Sequence, residues 1–279
     1  MASHPGIVFR AVTWNLFHGR DFPPDKHLFT WRSRLLRRTE RNATHVQVNR
    51  SLRGEFGQVL DSFDWTVALL QEAPPRWLHS LADRCGADGV RGLTSRNQLG
   101  AIRGVLGDLN PDLIASNDGG SNAVLVRRPA RIEAVERVQL ATRPESRSLL
   151  LARVADPNGL SLAVACMHLS VGSTGQGPAE LIEAANRAVA FAKGAPLLLG
   201  GDLNLRPARA PEPFDELSRR WGFGAPTEPD GIDHLLGRGL EVTRSPRSLA
   251  PAARELAAPG NRLLRLSDHT PVTGAFEVR

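Results

Sequence analysis

Residues 196–204 constrain the fold more tightly than any other stretch. Pro-Leu-Leu-Leu at 196–199 is apolar and stops abruptly at Gly200-Gly201-Asp202-Leu203-Asn204. So short an apolar run, bounded by glycines, reads as a buried strand. It delivers a carboxylate and a carboxamide to the mouth of a sheet. Side chains two apart on a strand face the same way, so Asp202 and Asn204 point together if strand geometry continues. The pair alone also fits a turn in which Asx side chains bond local backbone, and after a strand that is the commoner outcome. The rest of the chain has to decide between the two.

Other apolar runs end in the same manner. Ile7–Asn15 is β-branched and apolar, followed by His18, Gly19 and Arg20 and turned by Pro23 and Pro24. His18 either closes that turn or faces the mouth of a site. WTVALLQ at 65–71 ends at Glu72 and is stopped by two prolines, after which RWLHSLADRC reads as a helix entered through proline. A polar helical segment at about 95–109 and the loop SNDGGSN lead into the strand AVLVRR. Strands then follow at 131–139, 147–155 and 160–168, the last two joined by a Pro-Asn-Gly turn. A long helix at 178–193 turns Leu181, Ala184, Ala185, Ala188 and Phe191 inward. Beyond the 196–201 strand come a helix at 212–221, a strand at 232–236, an irregular Pro/Arg-rich section, and the final strand TPVTGAFEV. Such a mixture predicts two packed sheets flanked by helices.

The segment from about 26 to 62 reads as helical with loops. Trp31, Leu35 and Leu36 form one apolar stripe, and Leu52, Phe56, Val59, Leu60 and Phe63 form another; both are expected in the core. Residues 26–53 carry eight basic residues against Glu40, more net charge than the +6 of the whole 279-residue chain. Such a patch either attracts a polyanion or is a solvated helix face. All basic residues except Lys26 and Lys193 are arginine, a bias that also fits a GC-rich genome.

No Gly/Ser linker or repeat divides the chain, so a single domain over 1–279 is expected, with the basic helical segment inside it. The N-terminal residues lack the apolar stretch of a signal peptide, and nowhere are 18 consecutive residues apolar. These features predict a soluble, cytoplasmic protein without a transmembrane segment. Cys85 and Cys166 match no zinc spacing and are expected to be reduced.

The chemistry-bearing residues stand at strand ends. Asn15, Glu72, His168, Asp202 with Asn204, Asp233, and Asp268 with His269 each sit at such a boundary, where rigid sheets hold sites. Glu72 and Asp268 are hard oxygen donors suited to Mg²⁺, with Mn²⁺ an alternative. Such a metal would neutralise negative charge that builds up on a substrate oxygen and stabilise a leaving group. Asp233 paired with His269 repeats the arrangement in which a carboxylate orients an imidazole and stabilises its charged form.

TWN at 13–15, LQE at 70–72, MHLS at 167–170, GGDLN at 200–204, IDHLL at 232–236 and SDHTPV at 267–272 occur in this order across almost the whole chain. Together they resemble the endonuclease/exonuclease/phosphatase superfamily, which includes deoxyribonuclease I. The resemblance implies a four-layered α/β sandwich of two packed mixed β-sheets flanked by helices, and metal-dependent hydrolysis of a phosphate ester. It further implies that His269 contacts the scissile phosphate and that Asp202 positions or deprotonates the attacking water. Asn204 would bind phosphoryl oxygens, and Asn15 would orient the nucleophile or a metal ligand. His168 resembles a second active-site histidine, acting as phosphate contact or general acid. Arg147 and Asn122 are further candidates for phosphate contact, although Arg147 also fits a surface strand-end arginine.

Several subfamily marks are missing. The chain has no tyrosine, so the active-site tyrosine of the AP endonuclease branch is absent. The WCDR-type signature of the 5-phosphatases and the aromatic hairpin of secreted sphingomyelinases are absent too. With the basic segment, the leading expectation is a monomeric DNA endo- or exonuclease with nucleic acid as substrate. The alternative is a phosphatase or phosphodiesterase of small molecules or lipid head groups. A binding module that has lost catalysis is disfavoured, because the full hydrolytic set is present.

Overall fold

The computed structural model describes residues 7–94, 110–114, 120–143, 146–171 and 175–278. The helix expected at 95–109 and most of the SNDGGSN loop lie outside the described residues. Strands β1 (Ile7–Asn15), β2 (Glu40–Arg41), β3 (His45–Gln47), β4 (Val67–Ala73), β5 (Ala87–Leu93) and β6 (Ser121–Arg127) come first. They are followed by β7 (Arg131–Ala141), β8 (Arg147–Ala155), β9 (Ser161–His168), β10 (Leu197–Asp202) and β11 (Asp233–Arg238). Then come β12 (Glu241–Ser248), β13 (Glu255–Ala258), β14 (Arg262–Arg265) and β15 (Val272–Val278). The helices are α1 (Trp31–Leu36), α2 (Arg53–Ser62), α3 (Leu78–Arg84), α4 (Pro111–Ile114), α5 (Gln176–Ala192) and α6 (Glu212–Trp221).

One sheet has the order β12-β15-β1-β4-β6-β5 and the other β11-β10-β9-β8-β7. Both are mixed: β1 runs parallel to β4 and antiparallel to β15, while β10 runs parallel to β9 and antiparallel to β11. The alternation of strand side chains explains how they stack. Phe9, Ala11, Val67 and Leu69 of the first sheet meet Leu150, Ala152, Val164, Cys166 and Leu198 of the second in a central core. The intervening Val12, Trp14, Ala68 and Leu70 face outward onto Phe56, Val59, Leu60 and Leu81 of α2 and α3. Leu149, Leu151, Ala163, Ala165, Leu197 and Leu199 face outward onto Leu181, Ala184, Ala185 and Ala188 of α5 and Phe214 of α6. The layers are therefore helix, sheet, sheet, helix. Strands buried on both faces need near-continuous apolar runs, which is what the sequence carries at 67–70, 149–152, 162–167 and 197–199. Among the described residues no helix is long and apolar enough to cross a membrane. Cys85 and Cys166 are free and buried, and burial pushes their thiols up to about 11 and about 12.

A third, small sheet of order β13-β14-β3-β2 gathers pieces of two regions that read as helical or irregular. Its strands are two to four residues long, too short to show a period-2 pattern. β12 also lay in the section read as irregular. It is an edge strand that carries Pro246 and two register shifts against β15, a position where proline costs no ladder bond.

The stripe Trp31, Leu35, Leu36 is not in the core. These residues are 62%, 59% and 55% exposed. The only buried residue of α1 is Ser33, so this helix packs by its polar side. Thr30 caps it by accepting from the Ser33 N–H at 3.0 Å, and Ser33 Oγ donates to Gln47 Oε1. The second stripe behaves as expected, with Leu52, Phe56, Val59 and Leu60 buried and Phe63 packed beside them.

Candidate active site

Register brings the site together. Asp202, the last residue of β10, lies opposite His168 of β9 and opposite Asp233 of β11. Three separate strand ends thus place His168, Asp202 and Asp233 side by side. That alignment needs β10 squeezed between its neighbours, and the two glycines permit it. A Cβ on Gly201, whose φ is +139°, would lie 1.9 Å from the Met167 carbonyl oxygen, and one on Gly200 would lie 2.6 Å from that of His234. The glycines therefore make room for neighbouring backbone.

From the facing sheet, β1 contributes Asn15, whose Nδ2 donates to Asp202 Oδ2 at 2.9 Å. Its Oδ1 accepts from the Phe17 N–H at 2.9 Å, which fixes the orientation of the amide. Asn204 sits just past β10 in a left-handed conformation, φ +52°. Its backbone N–H donates to Asp202 Oδ1 at 3.1 Å and its Nδ2 to the Leu169 carbonyl at 2.9 Å. The Asx turn that was the commoner reading of Asp-x-Asn is thus present, and it is also what anchors the buried Asp202. Burial raises the Asp202 carboxyl well above the carboxylate range, and the nearby Asp233 raises it further.

His269 precedes β15. Its Nδ1 lies 2.8 Å from Asp233 Oδ2, and its Nε2 lies 3.7 Å from Asp202 Oδ2 and 3.9 Å from Asp268 Oδ1. Burial alone would lower its pKa, but Asp233, Asp202 and Asp268 outweigh it and carry the imidazole up to about 10. Ser267 pins this loop: its Oγ donates to the Asn15 carbonyl at 2.6 Å and accepts from the His269 N–H at 3.0 Å. Trp14 Nε1 donates to the His269 carbonyl at 3.0 Å. His168 behaves in the opposite way. Burial first, then the positive charges of Arg147, His269 and His18, hold it well below the ordinary imidazole range and keep it neutral. Its Nε2 is 3.4 Å from Asp202 Oδ2 and its Nδ1 3.7 Å from Glu72 Oε1.

Glu72 stands where the β4–β6 register shifts, between Leu70 and Ala73. Its φ of +47° is a conformation that costs a non-glycine residue about 1–3 kcal/mol. His18 Nε2 is 3.2 Å from its Oε2, so His18 both sits in a turn and faces the site. Asp268 is raised chiefly by burial, with the neighbouring Glu72 charge adding to the shift. Two neighbouring hard carboxylates at the rim of the site fit a divalent cation. Asp202, Asp233 and His269 also bring one ligand atom each within 4.8 Å of the others. Within that group His269 Nδ1 already pairs with Asp233 Oδ2, and Asp202 Oδ2 already accepts from Asn15.

Asn122, buried on β6, donates from Nδ2 to the Ser148 carbonyl at 2.7 Å, which leaves one amide hydrogen for another partner. Arg147 is buried at the start of β8, not a surface strand-end arginine, and its charge reaches His168. Sequence reading passed over Arg20 and Ser267. The Arg20 guanidinium stacks 3.8 Å from the Phe17 ring centroid, and its charge faces Asp112, Glu72 and Asp268. The signal lay within six residues of Asn15, in NLFHGR, and Ser267 lay within the quoted motif SDHTPV.

The model of the Endonuclease/Exonuclease/phosphatase family matches residues 12–269. The chain belongs to that family. Its members are phosphoesterases that generally use divalent metals, and the match runs from the strand of Asn15 to His269 itself. Comparison with curated proteins finds no match. Among solved structures, an endonuclease/exonuclease/phosphatase family protein from Bacteroides thetaiotaomicron is 14% identical, with a TM-score of 0.66 over 99% of this chain and 97% of that one. The catalytic domain of human Nocturnin with bound sulfate is 15% identical, with a TM-score of 0.64 over 96% and 94%. A mannosyl-6-phosphatase from B. thetaiotaomicron is 13% identical, with a TM-score of 0.64 over 96% and 98%. At these identities the likeness is one of fold.

Proposed function

We propose that this family member is a Mg²⁺-dependent phosphodiesterase acting on nucleic acid, most simply DNA. The observation that carries the chemistry is geometric: the buried Asp202 carboxylate lies between two histidines, 3.4 Å from His168 Nε2 and 3.7 Å from His269 Nε2, and the other ring nitrogen of His269 is 2.8 Å from a second carboxylate, Asp233. The electrostatics agree, with His269 raised, His168 lowered and Asp202 raised by burial. Asp202, held by Asn15 and the Asn204 N–H, takes a proton from the attacking water. His269 donates from Nε2 to a phosphoryl oxygen as charge builds there, an electrostatic role of the oxyanion-hole kind. His168, being neutral, serves better as a hydrogen-bond donor to phosphate than as a general acid. The second amide hydrogens of Asn204 and Asn122, with Arg147, complete the phosphate contacts. Glu72 and Asp268 would hold the divalent cation, which supplies charge neutralisation at phosphorus and at the leaving oxygen. The whole chain acts as one catalytic unit in this reading, since β1, β4, β9, β10, β11 and the loop before β15 all contribute.

The choice of nucleic acid rests on the arginine-rich segment 26–53, which folds beside the site: Arg20 and Arg34 line one hollow with Phe29, Thr30, Ser33 and Asp112. A second reading, a phosphodiester carried by a lipid head group, is favoured by the exposed apolar face of α1. The deciding experiment is a metal-dependent hydrolysis panel of double-stranded DNA, abasic DNA, RNA, inositol phosphates and sphingomyelin, with Asp202→Ala as blank. Cleavage of DNA that weakens steeply with added salt supports the first reading. Turnover confined to small or lipid esters overturns it.

A further inference from the structure

Among the described residues the apolar face of α1 has no partner, although it carries the composition of a buried contact. Phe29, Trp31, Leu35 and Leu36 are all exposed. Around them stand Lys26, Arg32, Arg34, Arg37, Arg38 and Arg41, also exposed. The one acid of this stretch, Glu40, is engaged by the Thr30 hydroxyl at 2.7 Å. None of these arginines is ion-paired with a described residue. A cluster of this kind on a surface marks an interaction site, and its chemistry restricts the partner.

We propose that α1 and its arginines form a docking surface for an anionic lipid bilayer. The partner must accept two leucines and an indole and must also present a dense layer of negative charge. A bilayer interface does both: hydrocarbon lies a few ångströms below phosphate, tryptophan prefers that boundary, and arginine pairs with the head groups. A single-stranded nucleic acid offers stacking for Trp31 but no apolar volume for Leu35 and Leu36. The hollow of about 310 Å³ lined by Arg20, Phe29, Thr30, Ser33, Arg34 and Asp112 connects this face to the site, because Arg20 faces Glu72 and Asp268. The arginines of this face are ones that the nucleic-acid reading also uses, so vesicle binding counts towards the lipid-ester reading, whereas the hydrolysis panel tests the ester by itself.

Of the five tryptophans, Trp31 alone is exposed; Trp14, Trp65 and Trp77 are buried and Trp221 is half-buried. Intrinsic fluorescence thus reports on α1. The full chain is titrated with vesicles of phosphatidylcholine containing about a third phosphatidylglycerol, and with pure phosphatidylcholine vesicles, while vesicle co-sedimentation is followed in parallel. Binding to the anionic vesicles with a blue-shifted emission, the shift being lost in Trp31→Phe, is the expected result. Leu35→Ser/Leu36→Ser and, separately, Arg37→Gln/Arg38→Gln should each weaken partitioning by roughly tenfold or more with the melting transition unchanged. The arginine variant keeps the test decisive should the leucine variant fold poorly. No binding to anionic vesicles, or binding that both double variants leave intact, overturns the proposal. So does quenching of Trp31 by a single-stranded oligonucleotide without any vesicle-induced shift, which would give the face to nucleic acid.

Discussion

His269 Nδ1 and Asp233 Oδ2 lie 2.8 Å apart, and the other Asp233 oxygen is buried with no hydrogen-bond partner among the described residues. The carboxylate therefore has one principal task, to keep the imidazole charged. Asp233→Asn removes the charge while keeping the shape. His269 should then lose its proton far below its present value of about 10, and the alkaline limb of the pH–rate profile should move down with it. Turnover at neutral pH should fall by about two to three orders of magnitude, the size of effect seen when one transition-state donor is lost. An unshifted alkaline limb would show that His269 is not the group held charged by Asp233.

Asn15 acts on the opposite side of Asp202. Its Nδ2–H donates to the carboxylate at 2.9 Å and lowers a pKa that burial has raised. In Asn15→Ala the carboxylate loses that donor, so it should protonate at still higher pH. Activity needs the unprotonated form, so the acid limb of the profile should shift upward, with turnover reduced about tenfold to a hundredfold at neutral pH. A profile whose acid limb stays in place would remove Asp202 from the role of base.

Glu72 and Asp268 provide a test of the metal that does not depend on activity. The Glu72 charge helps to raise the Asp268 carboxyl in the folded protein, and a bound divalent cation would offset it. Added Mg²⁺ should raise the melting temperature, by an amount corresponding to about 2.7 kcal/mol at a hundredfold excess over its dissociation constant. Glu72→Gln/Asp268→Asn should melt no lower than the metal-free wild type and should show no response to Mg²⁺. A full Mg²⁺ response in that variant would place the ion elsewhere.

The two large sheets were legible because their strands are buried on both faces. A run such as 197–199 has no polar side to confuse the reading, and its polar terminus marks where the strand leaves the core. The strand ends that converge on the candidate site were legible for a related reason: apolar runs turn polar abruptly there, as at Leu70–Gln71 or Met167–His168. β5 was missed because Gly89 and Gly92 break its apolar pattern; the backbone there lies against Leu125 and Leu150 side chains. The pieces of the third sheet were too short to carry periodicity. Trp31, Leu35 and Leu36 misled for a more instructive reason. Helical spacing shows that three residues share a face, but only the tertiary structure decides which face meets protein, and in α1 the contact of Ser33 with Gln47 turned the polar side inward. Arg20 was invisible because its role comes from Phe17, Glu72 and Asp268 converging on it in space.

Glycine at position 201 should tolerate no substitution. Its φ of +139° is reached readily only without a Cβ, and a Cβ there would lie 1.9 Å from the Met167 carbonyl oxygen. Backbone cannot yield as a flexible side chain can, so β9 and β10 would have to part. Gly201→Ala should cost about 3 kcal/mol or more, combining backbone strain with steric overlap. Because Asp202 and His168 are aligned by this pairing, activity should fall even at temperatures where the variant remains folded. A melting curve matching wild type would show that the strands accommodate the methyl group without separating.

Asp21 gives stability a pH dependence that is separate from catalysis. It is fully buried; Oδ2 accepts from the Val48 N–H at 2.9 Å, and Oδ1 has no hydrogen-bond partner among the described residues. Burial above all, with Asp112 adding to it, raises its pKa from 3.8 to about 8. Since the folded value is the higher one, the folded state holds a proton that the unfolded chain has already released between these limits. Stability should therefore decline as pH rises from about 4 towards 8 and level off above the folded pKa. Asp21→Asn keeps the shape without the titration, so its stability should not show this decline. Between pH 5 and pH 8 the wild type should lose a few kcal/mol relative to the variant, an order-of-magnitude figure from about 1.4 kcal/mol per tenfold change in proton affinity. Urea unfolding of both proteins at several pH values measures the difference directly. Parallel pH dependences would show that Asp21 is ionised in the folded protein and that the arginine beside it, Arg20, compensates for its burial.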